Sequence, residues 1–397
     1  MKTVSKLLFL LVVCSWILFS IIFFIGQLRE AYLFPMWLDE NYGLEYNIRQ
    51  FSYSDILIHG AAGQGSPCPL DYLALKFLDK GKEKFNYFSF PPHVYFRLFS
   101  NLATSFIPLI ILFFVLKKIR SGNDVRIRCA QLFLTLSVPI CYYFTFHVYK
   151  YAHEARPYAI WNSLYFLSLA LFLTVQNTKW LVVPLALLAF SATASIFQIG
   201  SLLVIFLITH LFNQVSIKKI LREASSIFLF PLLIGFYYSP RAMSWSYDSG
   251  SWAEFFNMWS HECVPMALLA GLGFFCLIRS ENRSLAIAPF SFVLLYLMGP
   301  AIFWITKWKG FFYADRQYLY YDLARSVILL TVIVSLPVLP KSLSSQKKVV
   351  AALVGICLLF SVFALRPKLL QRFQNTFQMA RDVLTVGFEH APLQSSL

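Results

Sequence analysis

Two adjacent carboxylates are the first residues in this chain that could do chemistry. Pro35-Met36-Trp37-Leu38-Asp39-Glu40 places Asp39 beside Glu40 just beyond a long apolar run. A Gly/Pro turn follows, Gly63-Gln64-Gly65-Ser66-Pro67-Cys68-Pro69-Leu70, and leads into Asp71-Tyr72. Two further polar groups come later, His153-Glu154-Ala155-Arg156 and Asp315-Arg316. A carboxylate at a bilayer boundary can take a proton from a hydroxyl or amine as it attacks carbon. Arginines nearby can grip a departing phosphate through two parallel hydrogen bonds. One acid and two arginines on one face are the minimal set for moving a group off a phosphate.

Those residues need a scaffold, and composition identifies it. Of 397 residues, 58% are hydrophobic and 13% charged, with mean hydropathy +0.63. A soluble domain would carry roughly a quarter charged residues, so the expectation is repeated spans of about 20 residues. The net charge of +15 comes largely from Lys and Arg in short loops between apolar runs. That pattern encodes membrane orientation and argues against nucleic acid as a partner. The seven Cys are scattered with no CxxC and no metal-like spacing, which fits ordinary buried residues.

The apolar runs predict an all-α polytopic protein of about eleven transmembrane helices. The first runs from Lys6 to Gly26, is retained rather than cleaved, and leaves the N-terminus in the cytoplasm. Residues 30–90 then form an outer loop, with an amphipathic surface helix expected from Leu44 to Ile58. Further spans are expected at His93–Leu116, Cys129–Phe146 and up to Val175. The long run Trp180–Phe212 calls for a break near Ser191–Ser195. Spans from Ala224 to Ser239, then to Arg279, Thr306, Lys341 and Arg366 complete the set. Basic loops at 117–128, 218–222, 283 and 341–348 lie inside, which puts all four polar clusters outside. Trp245, Trp252 and Trp259 recur every seven residues on one helical face, a pattern suited to the headgroup level. Arg97 reads as a structural residue that snorkels from the start of its span. Residues 1–365 form one membrane domain containing the outer loop 30–90, and 366–397 form a short extracytoplasmic tail able to fold as a surface helix.

The ordered motifs resemble the GT-C superfamily of membrane glycosyltransferases. The nearest branch contains the protein O-mannosyltransferases and the lipid A aminoarabinose transferases, glycosyltransferase family 39 and its relatives. Trp37-Leu38-Asp39-Glu40 stands where that branch has its acidic motif. Ser66-Pro67-Cys68-Pro69-Leu70-Asp71-Tyr72 is similar to a degenerate Pro-Pro-Leu-Tyr-Tyr segment. Arg97 in Val94-Tyr95-Phe96-Arg97-Leu98, Glu154-Ala155-Arg156-Pro157-Tyr158-Ala159 and Arg316 follow in the family's order, over roughly residues 1–340. The chain departs from the pattern at Cys68-Pro69 and Gln317, and its tail is shorter than the soluble domain many relatives carry.

The resemblance implies an inverting transfer of a sugar from a polyprenyl-phosphate donor to a lipid, glycan or protein acceptor. Asp39 would be the base or the acid that contacts the acceptor, with Glu40 supporting it. Arg156 and Arg316 would face the donor phosphate, and Tyr72, His153, Glu154 and Tyr158 would line the substrate site. No cofactor is required; a divalent metal is an option, held by Asp39-Glu40 with His93 or His153. HExxH is excluded because Pro157 stands at the second His position. The implied setting is a bacterial inner membrane with the site facing the periplasm or outside, or alternatively an endoplasmic reticulum membrane with the site facing the lumen. Two alternatives stand beside this one. A transporter or flippase of lipid-linked sugars would place its ionisable groups near the bilayer midplane, and a non-catalytic GT-C-like protein would bind lipid phosphate without transfer.

Overall fold

The computed structural model describes residues 2–36, 38–61, 67–81, 90–120, 124–175, 178–241, 251–279, 283–308, 320–338 and 367–390. Within them the chain is helical throughout, with no strand. Helix α1 (Lys2–Leu33) is followed by the short α2 (Leu38–Tyr42), a π-helical turn (Gly43–Ile48), α3 (Tyr53–His59) and α4 (Pro69–Gly81). Helix α5 (Pro92–Arg120) returns antiparallel to α1. Asn101 on α5 donates to the Phe24 carbonyl at 3.0 Å, Arg97 reaches the Ala31 carbonyl at 3.1 Å, and Arg120 at the other end lies over the Phe9 ring.

Four helical segments are long and apolar enough to cross a membrane: Val4–Leu33, Pro92–Arg120, Ser195–Phe212 and Ile217–Arg241. Two bent pairs, Trp252–Ser260 with Cys263–Ile278 and Arg283–Leu297 with Gly299–Ile305, raise the number to six if each is one span. Eleven uninterrupted spans are therefore not what the described residues form. The run expected to cross as Cys129–Phe146 breaks into α6 (Val125–Thr135), α7 (Val138–Tyr143) and α8 (Phe146–Tyr151). Pro139 in the first turn of α7 lacks an N–H, and Thr145 adopts extended backbone ahead of α8. The expected eleventh span, ending at Arg366, lies outside the described residues.

Helix α9 (Tyr158–Thr174) is buried from Ala159 to Leu173, so it is apolar on every side and forms the centre of the bundle. The break foreseen between Ser191 and Ser195 is present. Ala192 is extended (φ −155, ψ 143) and separates α10 (Val182–Ser191) from α11 (Ser195–Phe212). Helices α12 (Ile217–Ala224) and α13 (Phe230–Tyr238) follow, joined through a π-helical turn. Then come α14 (Trp252–Ser260), α15 (Cys263–Arg279), α16 (Ile287–Leu297), α17 (Gly299–Trp308) and α18 (Ala324–Ser335).

Of the tryptophan stripe, Trp259 also packs within the protein. Trp259 donates its indole N–H to the Tyr296 carbonyl at 3.0 Å and stacks on that ring at 4.6 Å. Trp252 meets Phe303 edge-on but stays exposed, and Trp245 lies outside the described residues. The C-terminal helix α19 (Pro367–His390) is amphipathic and packs along α1, with Leu370 and Leu384 left exposed. Phe373 meets Phe19 and Phe144, Arg372 donates to the Phe144 carbonyl at 3.2 Å, and Thr376 presses on Gly26.

Outer-loop helices build a smaller second core. Leu44, Ile48, Ile56, Tyr72 and Leu75 pack on Phe96 of α5 and on Ala155. The expected amphipathic helix 44–58 is real in character but divided. Its first half is the π-helical turn with Leu44, Asn47 and Ile48 inward. Its second half is α3, started afresh by a capping box between Ser52 and Asp55. Lys76 of α4 donates to the Ile48 carbonyl at 2.6 Å, which satisfies the end of that turn. This cap lies over the end of the bundle where α1 stops and α5 starts.

Candidate functional site

The cap is fastened by one guanidinium. Arg97 has no exposed surface, and every one of its five N–H groups has an acceptor. Nε and Nη2 grip Glu40 at 3.2 and 2.7 Å. Nη1 donates to the Ala31 and Phe34 carbonyls at 3.1 and 2.6 Å, and Nη2 donates also to Pro35 at 2.9 Å. Those carbonyls belong to the last turn of α1 and the residues beyond it, where helix C-termini present unpaired oxygens and attract cations. The snorkelling expected of Arg97 is therefore corrected: its head is turned into the protein, because carbonyls and a carboxylate wait there.

Glu40 completes the clamp. Besides Arg97, its Oε1 accepts the Ala155 backbone N–H at 2.5 Å. Three charge-assisted bonds on this buried carboxylate fix its position. This suits the supporting role expected for Glu40 and leaves it poorly suited to accept a substrate proton. The clamp also joins three stretches of sequence: the α1–α2 connection, the start of α5, and the turn carrying Glu154, Ala155 and Arg156. Asp39, one residue before Glu40, lies in α2, so its backbone is set by the clamp.

Beside the clamp lies a second buried carboxyl. Asp71, in the first turn of α4, is 1% exposed, and neither of its oxygens has a hydrogen-bond partner. Burial pushes its pKa up to about 7; Arg156 pulls the other way and Glu40 reinforces the rise. Tyr72 follows it, buried against Gly43, with its phenol pushed well above the usual range by burial and also coupled to Arg156. Arg156 is only partly buried. Its Nη2 donates to the Tyr158 hydroxyl at 3.4 Å, its guanidinium lies 5.6 Å from that ring, and its carbonyl accepts from Ser100. Arg156, Tyr158, Tyr72 and Asp71 thus form one electrostatically coupled group.

His153 and Glu154 divide between structure and site. His153 turns toward α1: its Nδ1 meets Gln27 Oε1 at 2.9 Å and Glu30 Oε2 at 3.0 Å, while its ring stacks on Phe34. Both neighbours accept, so Nδ1 carries a proton. Tyr149 donates to the other oxygen of Glu30 at 2.5 Å. A substrate contact for His153 would have to come from its Nε2 edge. Glu154 is buried in the same turn. Asp315 and Arg316 lie outside the described residues, as do the side chain of Asp39 and the turn residues Gly63–Ser66.

A metal finds no ready ligand set: among the described residues no three His, Cys, Asp or Glu gather to hold one. Glu40 is taken up by Arg97 and His153 by Glu30 and Gln27, while His93 approaches the Tyr32 carbonyl at 3.3 Å. Asp71 is the residue that sequence reasoning missed as chemistry. Its signal was faint: an acid two residues after Pro69 in a helix whose buried face includes Leu75 and Tyr72.

Comparison with known proteins returns no match to any family model, any characterised sequence or any solved structure. What the fold and site define is a class: an all-helical chain with several helices able to cross a membrane, capped at one end over a buried, arginine-rich carboxyl site.

Proposed function

We propose that the chain is a membrane glycosyltransferase of GT-C type, moving a sugar from a polyprenyl-phosphate donor to a lipid, glycan or protein acceptor. The observation that carries this reading is the grouping of Arg156 with Asp71, Tyr72 and Tyr158 next to the Glu40–Arg97 clamp. A cation at the mouth of a buried carboxyl site suits a phosphate leaving group, and the carboxyl side suits the acceptor hydroxyl. In this reading the site faces the outside of a bacterial inner membrane, about eleven spans carry it, and Arg316 joins Arg156 on the donor phosphate. Asp39 belongs to the acceptor side, and Glu40 holds the α2 segment that carries it.

Catalysis here is inverting displacement at the anomeric carbon. The acceptor oxygen forms its bond to that carbon, the carbon–phosphate oxygen bond breaks, and the electron pair leaves with the polyprenyl phosphate. Arginine stabilises the charge that develops there. The balance needs one base for the acceptor proton and no metal or redox partner. A transporter would require ionisable groups at mid-membrane. The charged residues described above instead concentrate at the end of α1 and the start of α5.

The test is donor consumption in membranes containing the wild type, Asp39→Asn and Arg156→Ala, supplied with polyprenyl-phosphate sugars. Wild type should consume a donor and release polyprenyl phosphate, and both variants should be slowed by at least about 100-fold. If donor binds and is never consumed, the non-catalytic alternative replaces this reading; if it crosses the bilayer unchanged, the transporter does.

A further inference from the structure

We infer that Asp71, rather than Asp39, is the group that removes the acceptor proton, with Arg156 as its electrostatic partner. The inference rests on the transferase reading and deepens it by dividing the two acids. Three observations on the fold carry it. The carboxyl is closed from solvent, and among the described residues it is the one carboxyl with both oxygens buried and without a hydrogen-bond partner. It stands in the first turn of a 13-residue helix that is pinned from below by Lys76, so its direction is set by the scaffold rather than by a loose loop. It is coupled to an arginine that is only partly buried.

An orphaned carboxyl in such a place is costly unless something arrives to use it. A hydroxyl entering between Asp71 and Arg156 would donate to the carboxylate, and the sugar's phosphate would lie on the arginine side. In the step itself, the hydroxyl O–H bond breaks and its proton passes to Asp71. The oxygen bonds the anomeric carbon as phosphate departs. Asp71 then returns the proton to water once product leaves, so no further reactant is required. A carboxyl that titrates near neutrality is well matched to such a task.

The charges around it are few. On the elements packed against α4, the π-helical turn has Glu45, which pairs with Arg49 just beyond it, and Arg49 also reaches Asp79 of α4 at 3.6 Å. Asp55 of α3 is held by Ser52, with His59 at the helix end. α10 offers no titratable side chain. On α5, His93 approaches the Tyr32 carbonyl and Arg97 is neutralised by Glu40. Arg156 and Glu40 are left as the charges that set Asp71.

The experiment compares wild type, Asp71→Asn, Asp71→Glu and Asp39→Asn in native membranes that supply the acceptor. A panel of short-chain polyprenyl-phosphate hexoses serves as donor, and rates are followed as a function of pH. A polyprenyl-phosphate sugar is a phosphodiester with no group titrating near neutrality, so a limb there belongs to the protein. Wild-type kcat/KM should rise through neutrality and then level. Asp71→Asn should lose at least about 100-fold and the limb with it, and Asp71→Glu should keep partial activity with a displaced limb. Asp39→Asn should be slow yet retain the limb. A wild type that consumes donor while Asp71→Asn keeps its rate and its limb overturns this inference and leaves the transferase reading standing. A wild type that consumes no donor removes both. Infrared difference spectra give an independent readout, because wild type should show a protonated-carboxyl band that fades as pH passes neutrality and is missing in Asp71→Asn. Absence of that band in the folded wild type also sinks the inference.

Discussion

Glu40 and Asp71 are two buried carboxyls in one cap, and they are treated in opposite ways. Glu40 accepts from two arginine nitrogens and a backbone N–H. Asp71 accepts from nothing. The first is locked by its bonds, and it serves as a fastener for the ends of α1, α2 and α5. The second shares the burial without the bonds, so its proton is loosely held around neutrality. In this cap the satisfied carboxyl is the fastener and the unsatisfied one is the group proposed to react, while Asn47, also buried with an unpaired nitrogen, shows that a missing bond alone does not mark chemistry. A buried polar group left without partners in a well-packed fold is a retained cost.

The largest effect should come from breaking the satisfied half. Arg97→Met leaves Glu40 charged and buried, and it orphans three carbonyls at once. Removal of one partner from such a pair costs about 3–5 kcal/mol. Thermal unfolding in detergent should show that loss. Pairing the change with Glu40→Leu should recover part of it, because the uncompensated charge is gone. If Arg97→Met unfolds at the wild-type temperature, the clamp is not what holds the cap.

Next in size is the unsatisfied half, with the opposite sign. Asp71 gives up its proton near 7 in the fold and near 3.8 in an unfolded chain. Between those values the folded state holds the extra proton, so stability falls as pH rises through that window and is level above it. The full linkage penalty is about 4 kcal/mol. Asp71→Asn removes the penalty but leaves a buried amide to satisfy, at about 1–3 kcal/mol. The net expectation is a variant more stable than wild type by roughly 1–3 kcal/mol above neutral pH and not below about pH 4. Unfolding midpoints at the two ends of the pH range check this. A variant that gains stability while losing its rate is the signature that a packing defect would not produce.

This contrast was only half legible in the sequence. Hydropathy marked the membrane class, the first span (whose helix runs on past the expected end at Gly26 to Leu33) and the small-residue break between α10 and α11, because each is written in local composition. Glu40 was visible as part of an acidic pair, and Arg97 was noticed but turned the wrong way. A cation in the first turns of an apolar helix reads as exposed until the carbonyls of another helix, 62–66 residues earlier, are placed against it. Asp71 was passed over for a similar reason. Burial without partners is a property of three dimensions, and an acid beside Pro69 and Leu70 looks like any first-turn helix residue. The break in the run expected as the span Cys129–Phe146 was not legible, since total hydropathy does not register what Pro139 and Thr145 do to backbone hydrogen bonding.

A smaller perturbation tests whether the path into α4 matters to Asp71. Gly60 has φ +71 and ψ −170, and a Cβ there would run into the Pro67 carbonyl. That carbonyl accepts from Ala61 at 3.0 Å, so residues 60–61 and 67 form a closed neck just ahead of Cys68 and α4. Gly60→Ala should cost about 1–3 kcal/mol for a positive-φ extended backbone open essentially to glycine, and the neck must open to relieve the contact. The informative readout is the pH limb. Loosening the neck lets water reach Asp71, so its titration should move down toward the ordinary carboxylate range. An unchanged limb in a destabilised protein would mean that the neck bears on folding alone.

The smallest effect is expected at Gly26, far enough from both carboxyls to separate scaffold from site. A Cβ at this position would stand 2.7 Å from Thr376 Cγ2 and 3.1 Å from the Thr376 carbonyl. Gly26→Ala therefore forces α19 away from α1 by a few tenths of an ångström. Greater helix propensity returns up to about 1 kcal/mol against an overpacking cost of about 1–3 kcal/mol, so the net loss should be close to 1 kcal/mol. The clamp is one turn further on and rests on carbonyls that this shift does not touch. Unfolding should therefore begin slightly earlier while the pH limb assigned to Asp71 stays where it is in wild type. Should the limb move with Gly26→Ala, the C-terminal helix is coupled to the carboxyl through α1 and the turn at 149–156. The line drawn between a fastening half and a reacting half of the cap would then have to be redrawn to include it.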